Sequence, residues 1–471
     1  MLDFFYRFRS IEKLLGDEFQ ELEKQEIYFS PFNGLNDPME GFQDIFWKGD
    51  SIVWKNLLKH YLLCLQLSCT AWLVSGDQAC IIKNQIPVFW KISDLSESGK
   101  KQYEDICSQF FKHEVIQKLP ESFASRKNPI RNSALLLYLK SLHTYAVTTV
   151  LAIFEKDGLL GEQKNQLSSL KSDTFSFLES LIRLHDSSAE ISEVFNEIHS
   201  HILLQQDLLY SNALQTTSTM QVSNQNKAFI LFDFPAKYVK QLERLVYPES
   251  YVACFMSECT NASMWGHYGD SHKGVCLKFK ANNVQGYPAL DLNCCVGSGS
   301  NKTESRLIHE VRSHRFYKVN YKNKYPEIDF FRSLGRLNFP TLEESWYIDE
   351  DKNISRCAED IFKDEKKWRQ KYWDTHKKGI ITKLKDWSYE KEYRLILNDP
   401  SLINLKYNFS SLDGIIFGIN TPQEDKLQIM RIIEEKCKKE SRQEEFKFYQ
   451  SFYSRRSRKI EYAALNLIRY K

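Results

Sequence analysis

An excess of charge of either sign is the first thing this sequence lacks. Its 64 lysines and arginines nearly cancel 61 aspartates and glutamates, leaving +3 over 471 residues. No whole-surface attraction to nucleic acid or membrane follows from that balance, so any basic surface has to be local. A disulfide framework is also missing, because the eleven cysteines are scattered without even spacing, as expected in a reducing compartment. Cys294 and Cys295 are adjacent, but there is no Cys-x-x-Cys pair to begin a zinc site. The opening MLDFFYRFRS has no apolar stretch of the signal-peptide kind, and the expected location is cytoplasmic. No internal repeat or low-complexity tract is present. The most apolar stretches, 57–74 and 135–154, are interrupted by Lys59, His60 and Gln66 and by Lys140 and His143. They read as buried helices, with no membrane association expected.

What is present is the composition of a folded protein, 42% hydrophobic and 27% charged. The length exceeds the roughly 250–300 residues that one core usually supports. The expected class is α+β: a mainly antiparallel β core, split between 1–46 and 226–471, interrupted by a large α-helical insertion at 47–225. Residues 4–8 read as a strand, Ser10 as the cap of a helix, and 26–30 as a second strand. The segment 31–38 is dense in turn residues. Helical periodicity then runs from about Trp47 to Gln206, with breaks expected at Pro87, Pro120 and Asp157-Gly158. Leu178, Leu181, Ile182, Ile191, Val194, Phe195 and Ile198 have the spacing of packed helices, and 212–226 reads as a linker.

Strand character returns at 251–256, 274–279, 316–321, 393–397 and 414–418. A flexible loop is expected at 297–301, and a smaller helical excursion at about 325–380. Thr421-Pro-Gln-Glu424 predicts a capping box. The helix that follows has Leu427, Met430, Ile433 and Cys437 as its expected apolar face, and a strand follows near 446–452.

Four constellations carry polar chemistry. In Tyr6-Arg-Phe-Arg9, alternation places Arg7 and Arg9 on one face and Tyr6 and Phe8 on the other. Paired guanidiniums call for an anion, either a phosphate or carboxylate ligand or a structural carboxylate. Asn36-Asp-Pro-Met-Glu40 suits a locked turn or a site wall, and Glu40 has no capping role. Residues 264–274 place Trp265, His267, Tyr268, His272 and Lys273 between two strands with three glycines, which fits a binding loop or a tryptophan plug with a solvated turn. Extended geometry would put Glu390, Glu392 and Arg394 on one face, either as a charge-paired edge or as two carboxylates dividing chemical roles.

Together, Tyr6-Arg-Phe, Phe29-Ser30, Asn36-Asp-Pro-Met-Glu40, Trp265-Gly-His-Tyr-Gly-Asp-Ser-His-Lys-Gly274 and Trp387-Ser-Tyr-Glu-Lys-Glu-Tyr-Arg394 resemble a bacterial family known as domain of unknown function twenty-nine seventy-one. The resemblance spans about 1–42 and 251–420. The order of elements also resembles an ADP-ribosyltransferase core. That similarity implies NAD as co-substrate, with Arg7 at phosphate or ribose, Ser30 bracing the nicotinamide pocket and Glu392 at the ribose. It also implies a toxin or antiphage effector acting on a protein or nucleic-acid target. A nuclease built from His267, His272, Asp37, Glu40, Glu390 and Glu392 is the second expectation. A non-catalytic sensor, whose helical insertion binds partners or oligomerises, is the third.

Overall fold

The computed structural model describes residues 2–75, 86–160, 174–187, 205, 226, 228–301, 304–398 and 400–466. The protein is α+β, with mostly antiparallel strands. It divides into two compact units, one of Met1–Phe42, Glu249–Pro326 and Lys377–Lys471, the other of Gln43–Pro248 and Glu327–His376. The helical positions Ile191, Val194, Phe195 and Ile198 lie outside the described residues, as does nearly all of the linker 212–226.

The first unit is built on a nine-stranded sheet. Its strands run in the order Tyr317–Lys318, Glu392–Asn398, Ser250–Met256, Phe4–Arg9, Val275–Lys280, Leu412–Phe417, Lys447–Ser454 and Lys459–Ala464, with Ser30–Pro31 also paired to Ser250–Met256. Only the pair Leu412–Phe417 and Lys447–Ser454 is parallel within this sheet. The strand Phe4–Arg9 lies in the middle, with Tyr6 opposite both Met256 and Lys278, and Met256 in turn opposite Glu392. Opposed residues share a face and successive residues alternate. Tyr6, Phe8, Cys254, Met256, Lys278, Glu392 and Arg394 therefore share one face, the polar face. Phe5, Arg7, Arg9, Phe255, Leu277 and Leu395 occupy the other.

That other face is the hydrophobic one. Phe5, Phe255, Leu277 and Leu395 pack with Ile27, Leu290, Leu292 and Leu405 of a smaller sheet and with Ile429 and Ile433 of the helix Gln423–Glu440. Each fully buried side chain of this kind contributes about 1.5–3 kcal/mol. The polar face carries a smaller cluster, with Phe8, Met256, Met264, Trp265, Cys276, Ile416 and Ile460 at its centre.

In the second unit, the helices Ser51–Ser75 and Asn132–Lys156 form the middle of a large core with Trp47, Phe110, Tyr238, Phe330 and Trp346. Both are long and apolar enough to cross a membrane, yet most of each apolar window is buried in the core. Their two histidines are satisfied inside. His60 bonds Tyr238 Oη at 2.8 Å and the Val88 carbonyl at 2.9 Å. His143 bonds Tyr61 Oη at 2.7 Å and the Ile230 carbonyl at 2.6 Å.

Several local expectations need correction. Pro120 lies inside the helix Glu114–Ala124, where it is buried with Ile116, Leu119 and Phe123; that packing outweighs the roughly 3 kcal/mol cost of an interior proline. Residues 297–301 continue the strand Tyr287–Asn301, held by its ladder to Glu304–Arg315. Thr421 Oγ1 does not cap the following helix but donates to the Gly274 carbonyl at 2.8 Å, and Pro422 takes the cap position without a side-chain bond. That helix buries Ile429, Ile433 and Cys437, while Leu427 is 47% exposed. The expected strand 26–30 divides: Glu26–Tyr28 joins the smaller sheet and Ser30–Pro31 the larger.

Candidate functional site

The turn at residues 36–40 supplies the first carboxylate. Asp37 accepts the Met39 amide at 2.9 Å, the side-chain-to-backbone bond that makes aspartate common in turns. Glu40 is thereby set inward, 7% exposed. The second and third carboxylates come from the segment ahead of and within Glu392–Asn398. Extended geometry does not place all three charged residues together as expected. Lys385–Glu390 is a 3-10 turn and Lys391 is left-handed, with φ 49°. This folds Glu390 back beside Glu392, while strand alternation aligns Glu392 with Arg394.

The result is a closed network of three carboxylates and two cations. Arg394 donates from Nε to Glu392 at 2.7 Å, from Nη1 to the Ile380 carbonyl at 2.7 Å, and from Nη2 to both Glu392 and Glu40. Lys383 Nζ lies 2.8 Å from Glu40, 2.7 Å from Glu390 and 3.5 Å from Glu392. Tyr268 Oη donates to Glu390 at 2.6 Å, and the Glu392 amide donates to Tyr321 Oη at 2.9 Å. Lys383, Glu390, Glu392 and Arg394 are all at most 2% exposed. Such burial is tolerated only because each charge is paired and hydrogen-bonded.

One carboxylate exceeds the number of cations, and the proton affinities diverge accordingly. Burial alone would raise the Glu392 pKa, but Arg394 and Lys383 outweigh it and bring the group to about 2. For Glu390 burial wins over Lys383, and the charge of Glu392 adds to it, so its pKa is raised. Burial would lower the Lys383 pKa, but the three carboxylates raise it. Burial and Glu390 together raise the Tyr268 phenol well above its ordinary value.

Half-buried tyrosines extend from this network along the same sheet face: Tyr6, Tyr268, Tyr389, Tyr449 and Tyr462 pack against the Phe8 and Trp265 cluster, and Tyr268 among them reaches Glu390. Trp265 is a core plug, donating from Nε1 to the Cys259 carbonyl at 2.7 Å with its ring edge-on to Phe8. Residues Asp270, Ser271 and His272 all have positive φ, a tight left-handed turn unusual for such side chains. His272 stacks beside Trp265 and its Nδ1 is buried without a partner. His267, Lys273 and Asn36 are exposed and do not join the carboxylates. Lys278 shares the polar face, with Nζ 2.7 Å from Asp413 and 3.8 Å from the Phe4 ring centroid.

The arginine pair is not part of this site. Arg7 and Arg9 lie on the opposite face of the sheet, because Glu392 aligns with Tyr6. Arg9 is answered by a structural carboxylate, Glu21 at 2.7 Å. Arg7 donates to the Tyr28 carbonyl at 2.9 Å, and burial with Arg9 beside it lowers its pKa to about 9. Ser30 is in register with Val252, four residues from Met256, or about 13 Å along the strand. Its hydroxyl donates to the Pro31 carbonyl. The basic run 454–459 is the turn of the last hairpin, with Arg455, Arg456 and Arg458 in solvent. Among the described residues, no group of three His, Cys, Asp or Glu side chains is arranged to hold a metal.

Lys383 and Tyr321 are the residues that sequence reasoning missed. Lys383 sits in the short strand Thr382–Leu384, parallel to Asn320–Lys322, which carries Tyr321. Nothing in a three-residue strand marks its lysine as buried.

Fold and site define an α+β protein with a buried carboxylate–cation network on the tyrosine-rich face of an open sheet. Residues 264–395 match the family described as protein of unknown function (DUF2971), which supports the family resemblance. That segment contains Trp265, Tyr268, Lys383, Glu390, Glu392 and Arg394. No curated protein and no solved structure matches the chain.

Proposed function

We propose that the polar sheet face is the active face of an NAD-consuming, ADP-ribosyltransferase-like effector, of the kind that serves as a toxin or in antiphage defence. The observation that carries this reading is the opposite tuning of two neighbouring carboxylates, one of them bonded to the half-buried Tyr268. Environments that push paired titratable groups apart separate an acid–base role from an electrostatic one. Cleavage of the bond between ribose and nicotinamide sends the electron pair to nicotinamide and leaves a cationic sugar. Ionised Glu392 stabilises that charge through its field, since both its oxygens are held by Arg394. Glu390 takes the proton of the acceptor group as the new bond to the sugar forms. The rings of Tyr268 and Tyr6 offer stacking surfaces for nicotinamide. Lys278 replaces Arg7 as the cation facing the pyrophosphate, because Arg7 is on the far side of the sheet.

The test is incubation of wild type, Glu392→Gln and Glu390→Gln with NAD and cell extract. Nicotinamide release and label transfer are followed, and folding is checked by thermal unfolding. Release by wild type and its loss in both folded variants is the expected result. Undiminished release by folded Glu392→Gln overturns the role given to that residue.

A second reading is favoured by the saturation of the network itself. Every charged group in it is buried and paired, as in a non-catalytic sensor whose network fixes the 36–40 turn to the sheet. Silence of folded wild type towards NAD supports that reading.

A further inference from the structure

The smaller sheet of the β unit contains a pair of reactive groups that the carboxylate network does not use. Cys294 Sγ lies 3.0 Å from His314 Nε2. The two residues come from the paired strands Tyr287–Asn301 and Glu304–Arg315, where Cys294 opposes Glu310 and His314 opposes Leu290, so both side chains share a face. They line a cleft of about 520 Å3 together with Arg312, Asn398, Leu402 and Leu405. Cys294 is 8% exposed, and its thiol has two partners, His314 Nε2 and the more distant Leu292 carbonyl at 3.6 Å.

We propose that Cys294 is the nucleophile of a second site, taking small carbon electrophiles that carry a carboxylate or similar anionic group. The thiol has its base within hydrogen-bond reach, the arrangement that activates a sulfur nucleophile. At rest the pair is neutral, since burial raises the thiol pKa and lowers that of the imidazole. As Sγ attacks carbon, the S–H proton passes to Nε2, a carbon–sulfur bond forms, and the leaving group departs with its electron pair.

The anionic preference comes from Arg312. Its guanidinium is 58% exposed and paired with the equally exposed Glu310 on the same strand. An exposed pair of this kind is worth only about 0–1 kcal/mol, so an incoming anion competes readily for the guanidinium. Glu310 on the same face and Asp291, which opposes Ser313 on the other face, are the nearby negative charges. Leu397, Leu402 and Leu405 supply the apolar wall.

Two reagents that differ only in charge test the site. The full chain, in a Cys295→Ser background that removes the adjacent thiol, is treated with iodoacetate or iodoacetamide, and labelling is mapped by mass spectrometry. Each reagent loses iodide as the carbon–sulfur bond forms. Cys107, half-buried beside Tyr103, is the internal reference. The expected result is that Cys294 outpaces Cys107 and shows a higher iodoacetate-to-iodoacetamide ratio. His314→Gln should slow Cys294 by about tenfold or more, and Arg312→Gln should abolish the ratio difference while leaving the fold intact. Labelling of Cys294 no faster than Cys107, or a ratio indifferent to Arg312→Gln, overturns the proposal.

Discussion

Lys383 lies against all three carboxylates of the network, so its loss leaves them buried with Arg394 as their remaining cation. Lys383→Met is predicted to destabilise the β unit by about 3–5 kcal/mol, the cost of breaking a buried pair from one side, measured by urea unfolding. The two glutamates respond differently. Glu392 ordinarily titrates near 4.5 and is held at about 2. Its ionised form therefore adds stability that is complete above pH 4.5 and lost as pH falls towards 2, an amount on the order of 3 kcal/mol. Glu390 has the opposite sign: its raised pKa means that ionisation opposes folding as pH rises through that value. Glu390→Gln is therefore predicted to cost less stability at pH 7 than Glu392→Gln, and only the latter to flatten unfolding free energy between pH 4.5 and 2. Equal losses at pH 7 would contradict the assignment.

At the scale of single elements, period-two alternation was enough to place Arg7 and Arg9 opposite Tyr6 and Phe8. It was not enough to place Glu390, which reaches Glu392 through a 3-10 turn and the left-handed Lys391. The short strand that buries Lys383 carries no periodicity, and its partner lies sixty residues away. Helix capping at Thr421 failed because the hydroxyl found a tertiary acceptor, the Gly274 carbonyl. Composition likewise misjudged 297–301, where a neighbouring strand supplied what the Gly-Ser sequence does not. Backbone contacts lock the 266–274 loop in place. A Cβ on Gly274 would come 2.3 Å from the Arg9 carbonyl oxygen, and one on Gly418 would come 2.2 Å from that of His272. Gly274→Ala and Gly418→Ala are each predicted to destabilise by about 1–3 kcal/mol, seen as lowered thermal midpoints; unchanged midpoints would show that these backbones can separate.

Over the whole molecule, the α+β class and the placement of most strands were legible in the sequence because local pattern decides them. Strand order was not, and it determines which motifs meet. It separates Arg7 from Glu392 by a sheet, and it joins Glu40 to Arg394 across the length of the chain. The central position of Phe4–Arg9 makes a further prediction. Removing residues 2–9 would leave Val275–Lys280 with an unpaired edge and Ser250–Met256 unpaired at its Met256 end, beyond its pairing with Ser30–Pro31, and an open edge invites aggregation. Hydrogen exchange should then show protection lost in Val275–Lys280 and at Met256, while the helix Ser51–Ser75 of the other unit keeps its own.

During synthesis, that same strand is made long before either of its sheet neighbours. Phe4–Arg9 leaves the ribosome well before Val275–Lys280 exists to pair with it, an interval of roughly ten to fifty seconds at ordinary elongation rates. For that time the nascent chain carries an aromatic segment with both edges open, while the core helices of the other unit emerge behind it. A growing polypeptide in that state is a natural client for chaperones, and its yield will depend on how quickly translation reaches the second half of the sheet.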